Sequence, residues 1–387
     1  MNRIENQKRL FVELVRELRP LWHRQTNSPQ VLGQWLARHR AGSRDRKLYR
    51  ELAYTAWRTI PRIDDLSDDE VIVHVANRAE YTKATAGFLD AYRSSDRPAE
   101  DDPAELLPAW IVDECPELLT PRHANLMLQR APLWIRLQTT SPQAVATEFA
   151  DLGISFERSS RLPSAWRVET DSPLQSMEAF REGLFEIQDI GSQSLLNALP
   201  EPPVGSWLDA CAGAGGKTLQ LADLLGVNGR VTAHDIRATA LQELSIRAKR
   251  AGLSNISVAP NPGGQFDGVL VDAPCSGTGT WRRSPHLKWT TSPASLRAAA
   301  LKQREIIQHF APFVLPGGLL VYATCSVCRT ENQAVADAFL AKNPEFKPSP
   351  LIHPRDQTEI ANGQLLLLPG DFDSDGFFIA AFRRHSG

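Results

Sequence analysis

The sequence predicts an α/β protein in which a doubly wound, Rossmann-like domain follows a small α/β module and an N-terminal helical bundle. Three observations lead to this prediction. Apolar residues recur at helical spacing through the first hundred residues, with no strand pattern. Residues 93–104 are polar, charged and proline-bearing, as is typical of a linker. From Gly205 onward, short apolar runs alternate with helical patterns. The predicted domains are therefore 1–100, 104–190 and 191–387.

The N-terminal region is predicted to be helical and basic. Its apolar periodicity indicates helices over 4–18, 31–38 and 47–59. Residues 1–62 carry 14 Lys and Arg against 5 Asp and Glu, an excess of +9, although the whole chain has a net charge of −2. A solvated helix face would account for the basic cluster at 44–50. The size of the excess favours instead a surface that binds a polyanion such as RNA.

Composition excludes several classes of protein. No apolar run approaches the roughly 20 residues that span a bilayer. The start of the sequence is too charged for a secretory signal. Five cysteines in 387 residues do not form a disulfide framework, which indicates a reducing compartment. We therefore expect a cytoplasmic monomer that does not bind a membrane.

In the middle region, residues 104–190, strand patterns alternate with helix patterns. Residues 133–137 are predicted to form a strand, 142–152 a helix, and 166–169 and 185–188 two further strands. This alternation indicates a small α/β module in front of the larger domain.

A glycine loop opens the larger domain. Residues 206–217 have the pattern of strand, tight turn and helix start, which exposes backbone N–H groups to a ligand. A nucleotide P-loop is excluded because Cys211 stands where its first glycine is required. A dinucleotide fingerprint is excluded because Thr218 stands where its third glycine is required. The remaining prediction is a Rossmann-like loop for a ligand with little phosphate.

Side chains suited to chemistry follow the later strands of this domain. Strand 230–236 contains Asp235, 22 residues beyond Gly213, where a carboxylate commonly accepts hydrogen bonds from ribose hydroxyls. Strand 266–271 leads into Asp272 and Cys275, and strand 319–324 leads into Cys325. Ligands bind at the carboxyl ends of such strands, so these groups should face one pocket. The connecting elements are predicted at 239–251 (helix), 256–259 (strand) and 296–313 (helix).

Cys325 and Cys328 form a Cys-x-x-Cys pair, which raises metal and redox alternatives. A zinc site needs two more soft ligands at close spacing, and no second Cys-x-x-Cys exists in the sequence. A redox pair normally begins a helix in a thioredoxin-like unit. We therefore predict no metal site. Cys115, Cys211 and Cys328 are interpreted as small apolar residues.

Several motifs in the second half of the chain surround the two cysteines. They are Asp272-Ala-Pro-Cys-Ser-Gly-Thr-Gly279, Arg282-Arg-Ser-Pro-His-Leu-Lys-Trp289, Tyr322-Ala-Thr-Cys-Ser-Val327 and Glu331-Asn332, supported by Trp134-Ile-Arg-Leu137, Gln188-Asp189, Gln193 and Asp375-Gly-Phe-Phe378. Together these motifs resemble the RNA cytosine-5 methyltransferases, and within that family the bacterial 16S rRNA enzymes of the RsmB/Sun type. The resemblance covers residues 104–384 well, extends weakly to 45–58, and is most specific at the two cysteine motifs.

The resemblance implies S-adenosylmethionine as cofactor, bound in the glycine-loop pocket. Cys325 matches the family's nucleophile and Cys275 its second cysteine. Asp272 matches a carboxylate near both the cofactor and the target base. Lys217 is predicted to be a catalytic residue as well as part of the cofactor loop. Asp235 matches the ribose-binding carboxylate. The residues that match the cofactor loop are Cys211, Ala212, Gly213, Ala214, Gly215, Gly216 and Lys217.

The sequence departs from the family pattern at two places. Gly213-Ala214 stands where the family usually has Ala-Pro, which should loosen the turn. The family also has an acidic residue after the third strand that holds the adenine amino group, whereas 258–265 contains none. Asn261 could accept that hydrogen bond, although a neutral acceptor does so more weakly.

The chemistry of cytosine suits these residues. Carbon 5 is a poor nucleophile until a thiolate adds to carbon 6, and a second thiol can then help to resolve the adduct. The prediction is an S-adenosylmethionine-dependent methyltransferase that acts on carbon 5 of a cytosine in RNA, with 16S rRNA as its partner. The alternatives are an inactive, methyltransferase-like RNA-binding factor in ribosome assembly and an exocyclic-amino methyltransferase of nucleic acid.

Overall fold

The computed structural model describes residues 2–24, 27–94, 102–170 and 172–386. Residues 95–101 of the predicted linker lie outside these ranges. The α-helices are α1 Arg3–Leu18, α2 Ser28–Arg38, α3 Ser43–Arg58, α4 Asp68–Arg78, α5 Ala86–Tyr92, α6 Ile111–Glu114, α7 Pro121–Met127, α8 Pro142–Asp151, α9 Glu178–Arg181, α10 Ile190–Asn197, α11 Gly216–Leu225, α12 Ala238–Arg250, α13 Leu287–Thr290, α14 Pro293–Phe310, α15 Gln333–Lys342 and α16 Pro369–Phe372. The strands are β1 Leu133–Leu137, β2 Ser155–Arg158, β3 Ala165–Glu169, β4 Phe185–Ile187, β5 Ser206–Asp209, β6 Arg230–Ala233, β7 Ile256–Val258, β8 Phe266–Asp272, β9 Val314–Thr324, β10 Phe346–Pro348, β11 Leu351–Ile352, β12 Glu359–Ile360, β13 Gln364–Leu367 and β14 Phe377–Arg384.

Within the described ranges, no helix combines the length and the apolar character needed to cross a bilayer.

The chain divides into two compact units. The first contains residues 1–129 together with 281–292, and the second contains 130–280 together with 293–387. These limits differ from the predicted domains, because residues 103–129 form short helical turns that belong to the first unit, whereas the α/β module begins at β1.

The first unit is a helical bundle whose amphipathic helices bury one face each. Phe11 of α1, Trp35 of α2 and Trp57 of α3 are fully buried in its core. Asn2 caps α1 in a reciprocal box with Glu5, which satisfies free N–H groups at the helix start. The predicted basic cluster is exposed on the first two turns of α3, at Arg44, Arg46, Lys47 and Arg50.

Residues 281–292 belong to the core of this first unit. The ammonium of Lys288 is fully buried and donates to the backbone carbonyls of Arg58 (3.0 Å) and Leu106 (2.9 Å). The indole of Trp289 donates to the Trp57 carbonyl at 2.6 Å. Burial lowers the pKa of Lys288 to about 7, and the nearby positive charge of Arg58 acts in the same direction.

The second unit begins with the α/β module. Its antiparallel sheet has the order β2-β3-β1-β4, and one face packs on α8 through Phe149 and Trp166. On the other face Trp134 donates to the Asp373 carbonyl, and the buried Arg136 lies 3.5 Å from Asp223. The module is therefore packed on the larger domain of the same unit rather than presenting that face freely.

The larger sheet has the order β10-β14-β9-β8-β5-β6-β7, with β13 paired to β14. The neighbouring strands β9, β8, β5, β6 and β7 are all parallel to one another, whereas β14 is antiparallel to β9. The register pairs Asp209 with Leu270 and Asp272 with Ala323. The carboxyl ends of β5, β6, β8 and β9 therefore lie along one edge. The sequence patterns predict the parallel strands but assign no strand to β14.

Candidate active site

The two predicted thiols meet at the edge of the sheet. Cys275 lies in the loop after β8 and Cys325 directly follows β9, and their sulfur atoms are 3.3 Å apart. The hydrogen bond to Cys325 raises the pKa of Cys275 well above its ordinary value. Removal from water and the negative charges of Cys325 and Glu331 act in the same direction. Either sulfur could donate in this contact, and the raised pKa keeps Cys275 protonated.

Lys217 and Asp272 form an ion pair in the same place, with Nζ 2.8 Å from Oδ2. Lys217 lies in the first turn of α11 and is buried. Burial alone would lower the pKa of Lys217, but the Asp272 carboxylate and the charge of Cys325 outweigh it and raise that pKa. A charged lysine is therefore paired with the carboxylate, within the electrostatic influence of Cys325.

The glycine loop leaves β5 in a tight turn that glycine makes possible. Gly213 and Gly215 have φ of 53° and 93°, a region that other residues rarely adopt. A side chain at Gly215 would also meet Leu219 and Leu244 at 2.8 Å, so the loop packs closely on α12. Gly216 begins α11, and the space where its side chain would stand is open. The predicted strand, turn and helix start are all observed.

Asp235 follows β6 and holds the loop from the other side. It accepts from the Gly213 N–H at 2.8 Å. Burial would raise its pKa, but hydrogen bonds from Arg237 and Gly213 outweigh this effect and lower it. The guanidinium and backbone N–H of Arg237 occupy the remaining positions on both carboxylate oxygens. A ribose could reach Asp235 only by displacing the Arg237 side chain, which is mostly exposed.

The Ala214 departure in the loop has a local compensation. Arg247 of α12 donates to the Ala214 carbonyl at 2.7 Å. The same guanidinium donates to Glu186 of β4 at 3.0 Å, and Glu186 is buried. Arg247, paired with Glu186 of the small module, therefore stabilises the turn at Ala214, where a proline would stiffen the backbone.

Three residues to which the sequence analysis gave no role lie in or next to the segments that form this site. Asp209 at the end of β5 is fully buried, and burial raises its pKa to about 7, partly offset by the hydroxyl of Thr218. Ile236 is 85% exposed between two charged residues, an unusual place for a large apolar side chain. Glu331 is completely buried beside both cysteine loops. Asp209 could have been noticed in the sequence because it is a carboxylate at the end of an apolar strand. Ile236 could have been noticed because it is an apolar residue between two charged ones. Glu331 has no such signal and appears only as part of a motif.

The structure also locates the other residues that the sequence analysis named. Asn261 is exposed in the loop between β7 and β8. Cys328 is completely buried, and its thiol contacts Thr278. Cys115 is buried in the first unit, where removal from water raises its pKa to about 12.

Comparison with known proteins gives the family to which this chain belongs. Residues 196–383 match the family model described as 16S rRNA methyltransferase RsmB/F. The Ribosomal RNA small subunit methyltransferase B of Salmonella arizonae is 32% identical over 296 residues, which covers 73% of this chain and 67% of that protein. The chain belongs to the RsmB/F family. The resemblance that the cysteine motifs indicated is thereby confirmed.

A second relative of the RsmB/F protein is the Probable ribosomal RNA small subunit methyltransferase B of Synechocystis sp. It is 33% identical over 258 residues, which covers 63% of this chain and 58% of that protein. The chain thus spans about 58% to 67% of the length of these curated relatives.

Solved structures agree with the fold. The crystal structure of PH0851 has a TM-score of 0.75, 22% identity and coverage of 98% of both chains. The structure of NSun6 from Pyrococcus horikoshii with SFG has a TM-score of 0.61, 20% identity and coverage of 74% of this chain and 98% of that one. The predicted Rossmann-like α/β architecture is confirmed.

Proposed function

We propose that this RsmB/F protein transfers a methyl group from S-adenosylmethionine to carbon 5 of a cytosine in small-subunit rRNA, through a covalent bond between Cys325 and the base. The observation that carries the proposal is the pair of thiols at the ends of neighbouring strands, with sulfur atoms 3.3 Å apart. The raised pKa of Cys275 keeps that thiol protonated, and the resemblance to the family assigns the attacking sulfur to Cys325.

The thiol pair supplies the groups for the attack on the base and for the release of the product. The Cys325 thiolate adds to carbon 6, and the electron pair of the 5,6 double bond becomes available at carbon 5 for the methyl group. A base then removes the carbon 5 proton, the double bond re-forms, and the sulfur–carbon bond breaks. Cys275 lies 3.3 Å from the departing sulfur and is placed to assist its release.

Lys217 and Asp272 supply the charge that this sequence of steps needs. Lys217 keeps a positive charge, to which the Asp272 carboxylate and then the charge of Cys325 contribute. The Asp272 side chain is 30% exposed at the strand end, where it can accept a hydrogen bond from the amino group of the base while Lys217 fixes its position.

The residues at the glycine loop fit S-adenosylmethionine. Gly216 begins α11 and the space where a side chain would stand there is open, so a ligand can approach the N–H groups at the helix start. The cofactor, when bound, supplies an electrophilic sulfonium methyl. The loop 211–217 would hold it through backbone N–H groups and Asp235 would hold its ribose. The exposed Ile236 and Val258 would cover its adenine ring.

Small-subunit rRNA is the substrate that the family relationship favours. Both relatives named above are described as ribosomal RNA small subunit methyltransferases. The exposed basic cluster at the start of α3 suits a phosphate backbone.

The test is a methyl-transfer assay with 16S rRNA and labelled S-adenosylmethionine, followed by bisulfite sequencing of the product. We expect label in RNA and 5-methylcytosine at a defined position. Cofactor binding without methyl transfer to naked rRNA or assembly intermediates would favour the inactive assembly factor. A methyl group on the exocyclic nitrogen would favour the amino methyltransferase.

Three cysteine variants separate the roles of the thiols. Cys325→Ala should abolish methyl transfer and leave cofactor binding unchanged. Cys275→Ala should accumulate a protein–RNA complex that survives denaturing electrophoresis, and this complex should be absent from the Cys275→Ala, Cys325→Ala double variant. Cys328→Ala is the matched control, since this thiol is completely buried and contacts Thr278. Trapping by Cys325→Ala would reverse the assignment.

A further inference from the structure

A single buried carboxylate connects the loops that carry the two thiols. Glu331 lies between β9 and α15 and is completely removed from solvent. It accepts from the Ser276 N–H at 2.8 Å and from the Ser276 hydroxyl, and Ser276 directly follows Cys275. It also accepts from the Ser326 hydroxyl at 2.6 Å, and Ser326 directly follows Cys325. Each thiol is thus tied to the same carboxylate through its next residue.

The remaining contacts leave this carboxylate fully occupied. Gln303 of α14 donates to Oε1 at 3.0 Å, so each oxygen accepts two hydrogen bonds. The neighbouring Asn332 accepts from Thr324 at 2.6 Å and donates to the Ser326 carbonyl at 2.8 Å. The turn that contains Cys325 is therefore held on both sides, and Glu331 adds the link to the other loop.

We propose that Glu331 is a positioning residue that sets the distance between Cys275 and Cys325, and so couples attack by one thiol to release by the other. This inference rests on the proposed function for its catalytic meaning. An ionised carboxylate is suited to this place because it accepts from four donors without offering a competing one. A misplacement of about 1 Å at reacting atoms can lower a rate by about a hundredfold, so the spacing matters.

The decisive variant is Glu331→Gln, which keeps the shape but turns one acceptor into a donor. We expect kcat for methyl transfer to fall by about tenfold or more, with little change in KM for RNA or cofactor. The matched control is Asp267→Asn. Asp267 accepts from the N–H and hydroxyl of Ser206 at 2.7 and 2.9 Å, the same kind of contact, at the opposite end of β8. It should lower Tm without changing kcat.

A second readout does not depend on methyl transfer. Diamide takes two electrons and two protons from a thiol pair, forming a disulfide and a hydrazine. In the wild-type protein, peptide mapping should find Cys275 joined to Cys325 as the fastest product, because their sulfur atoms are 3.3 Å apart. Glu331→Gln should slow this reaction about fivefold or more, whereas Asp267→Asn should not.

These two readouts separate the two proposals. If the wild-type protein methylates no RNA, the proposed function fails, and the diamide rates still decide whether Glu331 sets the spacing. If Glu331→Gln keeps both the wild-type kcat and the wild-type diamide rate, the inference is overturned.

Two milder variants serve if Glu331→Gln does not fold. Ser326→Ala should slow methyl transfer, and Ser276→Ala should instead raise the amount of trapped protein–RNA complex. Equal losses in both steps for both variants, in proportion to the fall in Tm, would show general loosening and would also overturn the inference.

Discussion

Lys217 and Lys288 are both withdrawn from water, but their surroundings differ. Lys217 faces the Asp272 carboxylate, which outweighs burial and raises its pKa. Lys288 faces the neutral carbonyls of Arg58 and Leu106, and burial lowers its pKa to about 7. Burial therefore does not decide whether a lysine is charged; the formal charge of its partner does. In the second unit, Lys217 stays positively charged beside its carboxylate partner. In the helical unit, Lys288 instead serves as a donor to two backbone carbonyls.

The largest effect should come from removing the permanent cation. Lys217→Met leaves Asp272 without its partner and Cys325 without a nearby positive charge, and we expect single-turnover methyl transfer to fall by about a hundredfold or more. The same substitution at Lys288 is the matched control. Calorimetry should show that Lys288→Met keeps the cofactor affinity. Comparable losses of methyl transfer in both variants, measured where both are folded, would contradict the distinction.

Asp272→Asn should give Lys217 the uncharged surroundings that Lys288 has. Lys217 would then be buried without a carboxylate at hydrogen-bond distance, so its pKa should fall. We expect a loss of about 2–3 kcal/mol in the free energy of unfolding at pH 7, less than for a fully buried pair because Asp272 is 30% exposed. Urea unfolding measures this loss. An unchanged midpoint in urea would mean that the ion pair does not stabilise the fold.

Lys288 should give the protein a pH-dependent stability of its own. Its pKa is about 7 in the folded protein and near 10.5 when unfolded, so the unfolded chain binds more protons between these values. The free energy of unfolding should therefore rise with pH from about 7 to about 10.5, by up to about 1.4 kcal/mol per pH unit. Subtracting the profile of Lys288→Met isolates this contribution. Parallel profiles for the two proteins would refute it.

The exposed cations of α3 should affect neither lysine. Changing Arg44, Lys47 and Arg50 to Gln should leave Tm nearly unchanged, because surface substitutions change stability little. RNA binding should weaken, and its salt dependence should flatten by about 0.7 for each phosphate of a single strand that the variant no longer neutralises. Filter binding at several salt concentrations gives the slope. A wild-type slope in the triple variant would place the RNA surface elsewhere.

These substitutions are preferable to deleting residues 1–62. Helices α1 to α3 share one core with α4 and α5, including Val71, Val75 and Phe88, so the deletion would expose apolar surface and confuse binding with unfolding.

Local patterns predict the parallel strands and place both thiols at strand ends, because a buried strand and the residue that follows it are adjacent in sequence. The contacts that hold the thiols together are not local. Glu331 joins loops that are 50 residues apart, and nothing in a motif shows which donors a buried carboxylate meets. The antiparallel β14 escapes prediction for the same reason, since its pairing with β9 depends on tertiary contacts.

The Arg237 contact shows a further limit of motif reasoning. The position of Asp235 is predicted by its distance from the glycine loop, and the structure places it against Gly213. Its occupation by Arg237, two residues away, depends on side-chain conformation, which spacing does not specify.

The discontinuous first unit has a consequence for synthesis on the ribosome. Its helices up to residue 129 emerge first, but Lys288 and Trp289 are made roughly 160 residues later. At about 5–20 residues per second, the helical bundle waits about 8–30 s with the carbonyls of Arg58 and Leu106 unsatisfied by their final donor. The whole α/β module and the first half of the larger sheet are synthesised during that interval. The helical bundle can therefore reach its final structure only after residues 281–292 have been synthesised.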